Sequence, residues 1–204
     1  MKAVLTVVLL AVAGMLGGCA TGMSEQACLT ADWRTVGFED GVAGRQSSTI
    51  GNYRTQCADA GVTPDLDQYL VGHTQGLETY CQPSNGYRVG ERGGQYHGVC
   101  SPEVEAAFLA AYDEGRTLYT LRSDVSRLER QLANAEERLI ALDVEIQTLT
   151  LEVIRDGLTP EERLALLARA KEADERKEIV EADIVSLREA LAISREELQL
   201  YAGR

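Results

Sequence analysis

The sequence predicts a mainly α-helical protein: a small disulfide-stapled, glycine-rich helical module followed by a long antiparallel coiled-coil hairpin. Three observations predict it. All five cysteines lie at or before Cys100. Glycine is dense up to about residue 100 and sparse beyond it, where Leu, Ala, Glu and Arg take over. Apolar residues then recur every three or four positions over most of the remaining chain, the period of a helix with one buried stripe.

The first element is not part of the fold. Residues 1–18, "MKAVLTVVLLAVAGMLGG", place one lysine before an apolar run from Ala3 to Leu16 and end in small residues. A bilayer span needs about 20 apolar residues, so the run reads as a secretory signal rather than a membrane helix. Leu16-Gly17-Gly18-Cys19 resembles a bacterial lipobox. The resemblance implies diacylglycerol on the Cys19 sulfur, cleavage before Cys19, and acylation (palmitate) of the new N-terminus. Two or three chains hold a protein firmly to a membrane where one holds it marginally. Ala20, rather than an aspartate, implies sorting to the outer membrane. Residues 19–27 are then a lipid-anchored tether.

Residues 28–100 form the stapled module. Thr30 and Asp32 are candidate caps for a helix to about Gly44, Ser47 or Ser48 for one reaching Cys57, and Thr63-Pro64-Asp65 for a third through "LDQYLVGHTQGLETYC". A loose echo runs through it: Trp33-x3-Gly37-x3-Gly41, Tyr69-x2-Gly72-x3-Gly76, Tyr87-x2-Gly90-x3-Gly94 and, partially, Tyr112-x2-Gly115. Glycine at every fourth position lies on one helix face and admits a close neighbour. Between Cys81 and Cys100 the glycines argue against a long element, and Asn85-Gly86 reads as a turn.

Residues 101–204 form the hairpin. Ser101-Pro102-Glu103 opens the first arm. Its seam is Leu118, Leu121, Val125, Leu128, Leu132, Ala135, Leu139, Leu142, Ile146, Leu149 and Val153. A break near 156–159 carries Gly157, Thr159, Pro160 and a Thr159/Glu162 capping box. The second seam is Leu166, Ala170, Ala173, Lys177, Val180, Ile184, Leu187, Leu191, Ser194, Leu198 and Tyr201. So short a connection makes the two arms antiparallel neighbours. Heptads alone do not decide between closure within one chain and arm exchange between two, and the oligomeric state stays open. Lys177 and Ser194 weaken the seam and are read as setting its register or laying a snorkelling stem along it. The other reading is that they mark where a second molecule docks.

With Cys19 acylated, Cys28, Cys57, Cys81 and Cys100 remain, an even set suited to an oxidising compartment. Three pairings are open and sequence does not choose among them. Cys28–Cys57 with Cys81–Cys100 is favoured, because the first would join an antiparallel helix pair and the second would close the segment least able to order itself. Free thiols or a zinc site joined by His73 or His97 is the other reading, against which no close ligand spacing is present.

The lipobox together with "CLTADWRTVGFEDG", "GVTPD", "GLETYC", "NGYRVG", "YHGVC" and "AYDEGRTLY" resembles a family of uncharacterised proteobacterial lipoproteins bearing a domain of unknown function, over about residues 19–119. The resemblance implies a periplasmic, disulfide-bearing lipoprotein and supplies no catalytic residue.

The net charge of −12 argues against nucleic acid and anionic lipid surfaces as partners. No nucleophile elbow, P-loop, cofactor motif or metal set is present, and His73 or His97 beside Asp40 or Glu78 is all that an acid–base pair could draw on. The chain is therefore read as non-enzymatic: a lipid-anchored outer-membrane protein facing the periplasm, with a structural or protein-binding role through the hairpin. The alternative is binding of peptidoglycan or another envelope glycan by Tyr87, Arg88, Arg92, Tyr96 and His97, where aromatic and polar groups cluster.

Overall fold

The computed structural model describes residues 22–203. Residues 1–19, read from sequence as a signal and lipobox ending in Cys19, lie outside the described residues. Among those described there are seven α-helices and no strand: α1 Glu25–Leu29, α2 Trp33–Val42, α3 Ile50–Gln56, α4 Leu66–Tyr80, α5 Pro83–Glu91, α6 Pro102–Val153 and α7 Pro160–Ala202. A 3-10 turn, Ser47–Thr49, leads into α3. None of these helices is long and apolar enough to cross a membrane.

The chain divides into two compact units, residues 22–85 with 96–108, and residues 86–95 with 109–203. The boundary expected at residue 100 is thus shifted, for a reason in the packing. Phe108, on the second turn of α6, is fully buried between the rings of Tyr80 and Tyr96 (centroids 5.3 and 4.9 Å), so the start of α6 belongs to the first unit. Gly90 sits against the backbone of Tyr112, so residues 86–95 belong to the second.

In the first unit α2 and α4 cross at backbone contact. A Cβ added at Gly72 would lie 1.8 Å from the Arg34 carbonyl oxygen, and one at Gly37 would lie 2.0 Å from that of Tyr69. No side chain fits there, which is why the sequence keeps glycine at this spacing on both helices. Asp32 caps α2 by accepting the Arg34 N–H, and Asp65 caps α4 by accepting that of Gln68. The Ser47/Ser48 expectation is corrected: the 3-10 turn enters α3 directly, with no side-chain cap bond. Beside the crossing, Cys28, Trp33, Ile50, Cys57 and Tyr69 form the core. Disulfides join Cys28 to Cys57 and Cys81 to Cys100, the favoured of the three pairings.

The second unit opens on another correction. Asn85-Gly86 is not a turn but lies inside α5, Pro83–Glu91. Tertiary packing overrides the local preference, because Gly86, Val89 and Gly90 are buried. A Cβ at Gly90 would stand 2.1 Å from the Tyr112 carbonyl oxygen, and one at Gly115 would stand 2.2 Å from that of Tyr87. The echo in the sequence is therefore a pair of matching glycine crossings. Gly37 and Gly90 each follow a cysteine by nine residues, Gly72 and Gly115 each follow that cysteine's disulfide partner by fifteen. The spacing is that of a duplicated unit.

The hairpin pairs within the chain. Every seam residue named from the sequence on either arm is buried or half-buried, with Leu142, Ala173, Val180 and Ile184 among the most enclosed. Ion pairs from arm to arm run Glu129–Arg195, Glu136–Arg188 and Glu145–Arg176, which fixes the antiparallel register. Lys177 threads its stem along the seam and places its ammonium 2.7 Å from Asp143. The Thr159/Glu162 capping box is formed, and Gly157 takes a positive φ in the connection.

Candidate functional site

Three places combine chemistry with a formed surface. The first is a buried polar centre in the first unit. Asp40, 2% exposed, accepts hydrogen bonds from Tyr69 Oη (2.7 Å), Arg45 Nη1 (2.7 Å) and Tyr53 Oη (3.1 Å). A carboxylate taken from water needs such partners, and here they fill both oxygens. Trp33, Tyr53, Tyr69 and His73 follow one another as neighbouring rings. His73 Nε2 bonds the Arg45 carbonyl at 2.8 Å, so the histidine holds the α2 exit rather than serving Asp40. This centre ties α2, α3 and α4 together, and no polar side-chain atom buried among the described residues lacks a partner.

Burial, then the bond to Asp40, raises the Tyr69 hydroxyl far above its ordinary range; burial and Asp40 raise Tyr53 as well. Unfolded tyrosines ionise near pH 10, while the folded state withholds ionisation from Tyr69. Above that pH the unfolded state binds fewer protons than the folded one. The associated stability is therefore complete below about pH 10 and lost as the pH climbs, by up to about 1.4 kcal/mol per unit for this hydroxyl. Tyr69→Phe is expected to flatten the decline in urea midpoint between pH 9.5 and 11; equal slopes in the two proteins would remove the account.

The second place is the pair of surfaces bearing the sequence-named candidates. Tyr96 belongs to the first unit, where it packs on Phe108, donates to Glu105 Oε1 (2.8 Å) and accepts the Cys100 N–H (3.0 Å). It braces the loop closed by Cys81–Cys100. The exposed His97 offers its carbonyl to Gln46 Nε2. Tyr87, Arg88 and Arg92 belong to the second unit, the arginines exposed and Tyr87 half-buried. Tyr87 lines a cavity of about 580 Å³ with Glu91, Glu114, Leu118, Arg122 and Tyr201. Tyr201, from the far end of the chain, could not be joined to Tyr87 by any sequence pattern.

The third place is the outer face of α6. Ile140, Val144 and Leu151 are 64, 57 and 67% exposed there, and Ile154, just past the end of α6, is 70% exposed. With Gln147 between them, Ile140, Val144 and Leu151 step by four, three and four along the side opposite the seam, a second largely apolar stripe about 17 Å long. Its spacing was legible in the sequence beside the a/d pattern and was missed. Among the described residues no three His, Cys, Asp or Glu side chains converge as metal ligands.

Both glycine crossings fall inside one stretch of chain that ends where the hairpin seam begins. Residues 32–117 match the family described as Protein of unknown function (DUF2799). No curated protein and no solved structure matches the chain. The DUF2799 domain starts at the Asp32 cap and closes just before Leu118, the first seam residue. It takes in the Asp40 centre, the second disulfide and Tyr87, and leaves the outer stripe and Tyr201 outside. The domain boundary therefore matches the crossings rather than the cysteines.

Proposed function

We propose that this protein is a non-catalytic outer-membrane lipoprotein, anchored through Cys19 and facing the periplasm, that binds an envelope protein through its hairpin. The anchoring part of this reading is supported by the signal and lipobox-like residues 1–19. The binding part is carried by the Ile140, Val144 and Leu151 stripe. A helix already satisfied along its seam has no folding use for a second apolar face. Covering each of these side chains contributes about 1.5–3 kcal/mol before the cost of association. The matching partner is an amphipathic helix laid along α6 with its apolar face inward.

Photo-crosslinking probes at 140, 144 and 151 in the full chain in cells are expected to capture one defined envelope protein, where probes at 127 and 134, exposed on the flank of the same arm, do not. An Ile140→Ser, Leu151→Ser double substitution should abolish that capture and leave the melting temperature nearly unchanged, since both residues are exposed. Equal capture at all five positions would remove the proposal. The second reading, glycan binding by residues 87–97, is supported by Tyr87 alone, through the cavity it lines.

A further inference from the structure

We infer that the cavity joining Tyr87 to Tyr201 is a saccharide site, so that the chain holds a glycan with α5, α6 and the end of α7 rather than with the Tyr87, Arg88, Arg92, Tyr96 and His97 set. Of that set, Tyr87 and Arg88 lie in α5 and not in a loop. This rests on the glycan reading and on none of the hairpin-docking reading. The cavity, about 580 Å³, falls within the 300–1,000 Å³ usual for small-ligand sites. Its lining is mixed in the way a pyranose needs. Tyr87 and Tyr201 supply two half-buried rings for the C–H face of a sugar, and Leu118 supplies a buried apolar floor. Around them stand three planar charged groups able to meet hydroxyls: Glu91, Arg122 and Glu114.

The groups are set in advance. Arg122 Nη1 lies 2.8 Å from Glu91 Oε1, and Tyr201 Oη donates to the Glu114 carbonyl at 2.9 Å, which fixes its ring at the cavity wall. Fixed donors and rings lower the entropic cost of binding. The same set excludes other ligands. Two carboxylates against one guanidinium, itself engaged by Glu91, repel phosphates and nucleotides. Three charged side chains disfavour a purely apolar molecule. A neutral polyhydroxylated ring remains. In the envelope setting proposed above, N-acetylhexosamine is the neutral pyranose at hand.

Isothermal titration of the purified chain with the β-1,4-linked tetramer of N-acetylglucosamine tests this. The expected dissociation constant is about 10 µM to 1 mM, within ordinary small-ligand affinities. Tyr201→Ala and Arg122→Gln are each expected to weaken binding at least about tenfold, the loss of one good contact. Tyr201→Phe should retain binding if its circular dichroism melt matches the parent's, because the ring stays. Tyr96→Phe and His97→Ala should bind as the parent does. Binding lost in the loop variants but kept in Tyr201→Ala would overturn the cavity and leave the loop reading standing. No heat at millimolar tetramer with any folded protein would overturn both.

Discussion

Replacing Gly72 by alanine is expected to unfold the first unit under conditions where the parent is folded. The new methyl carbon would stand 1.8 Å from the Arg34 carbonyl oxygen, with the Phe38 backbone nitrogen at 2.9 Å. Both obstacles are backbone, so no rotamer relieves the clash and the two helices must separate. Separation also pulls Tyr69 away from Asp40 and opens the core around Trp33. A cost of about 3 kcal/mol or more follows, at the upper end of overpacking effects. Trp33 is the only tryptophan and lies in that core, so its fluorescence reads the first unit, while far-UV circular dichroism reads mostly the hairpin. The fluorescence midpoint in urea should fall sharply and the helical signal should persist. Gly51, on α3, is the control, since a Cβ there meets nothing within 4 Å. Gly51→Ala should stabilise by about 0.5–1 kcal/mol through helix propensity alone. Similar midpoints for the two variants would show that the crossing is not what holds the unit.

The second large effect is expected from opening the Cys28–Cys57 disulfide with paired alanines. Its partners are 29 residues apart, and closing a loop of that size is worth about 3–4 kcal/mol in the chain-entropy model. The unit has little to spare, because its buried apolar residues are few and glycines at the crossing lose much backbone entropy on folding. Removing Cys81–Cys100, whose partners are 19 apart, should cost about 3 kcal/mol by the same rule and loosen the Tyr96 brace. Denaturant midpoints by Trp33 fluorescence, oxidised and with each pair removed, measure both. A midpoint unmoved by loss of Cys28–Cys57 would mean that the glycine crossing and the Asp40 centre hold the unit alone.

Much of this was legible in the residues. The seams were, because a helix that buries one stripe must repeat it every three or four positions, and Leu142 or Val180 can serve no other end in so charged a segment. The caps at Asp32, Asp65 and Thr159 were, because orphan N–H groups at a helix start call for those side chains. Asn85-Gly86 misled, since a local turn preference of about a kilocalorie per mole yields to the burial of Gly86, Val89 and Gly90. The candidate loop misled in part: Tyr87 and Tyr96 are close in sequence, yet each is claimed by a different unit.

The chain by itself determined its helical class, the caps at Asp32, Asp65 and Thr159, and the turn between the arms, all of which follow from local periodicity and from side chains acting within a few residues of themselves. Only the tertiary structure decided that the glycines meet in pairs across two crossings, that Asp40 gathers Arg45, Tyr53 and Tyr69, and that Tyr201 returns to Tyr87. The decisive contacts among these, Asp40 with Tyr69 or Tyr87 with Tyr201, join residues far apart in the chain. They depend on where backbones can approach, and that is a property of the folded chain rather than of any window along it.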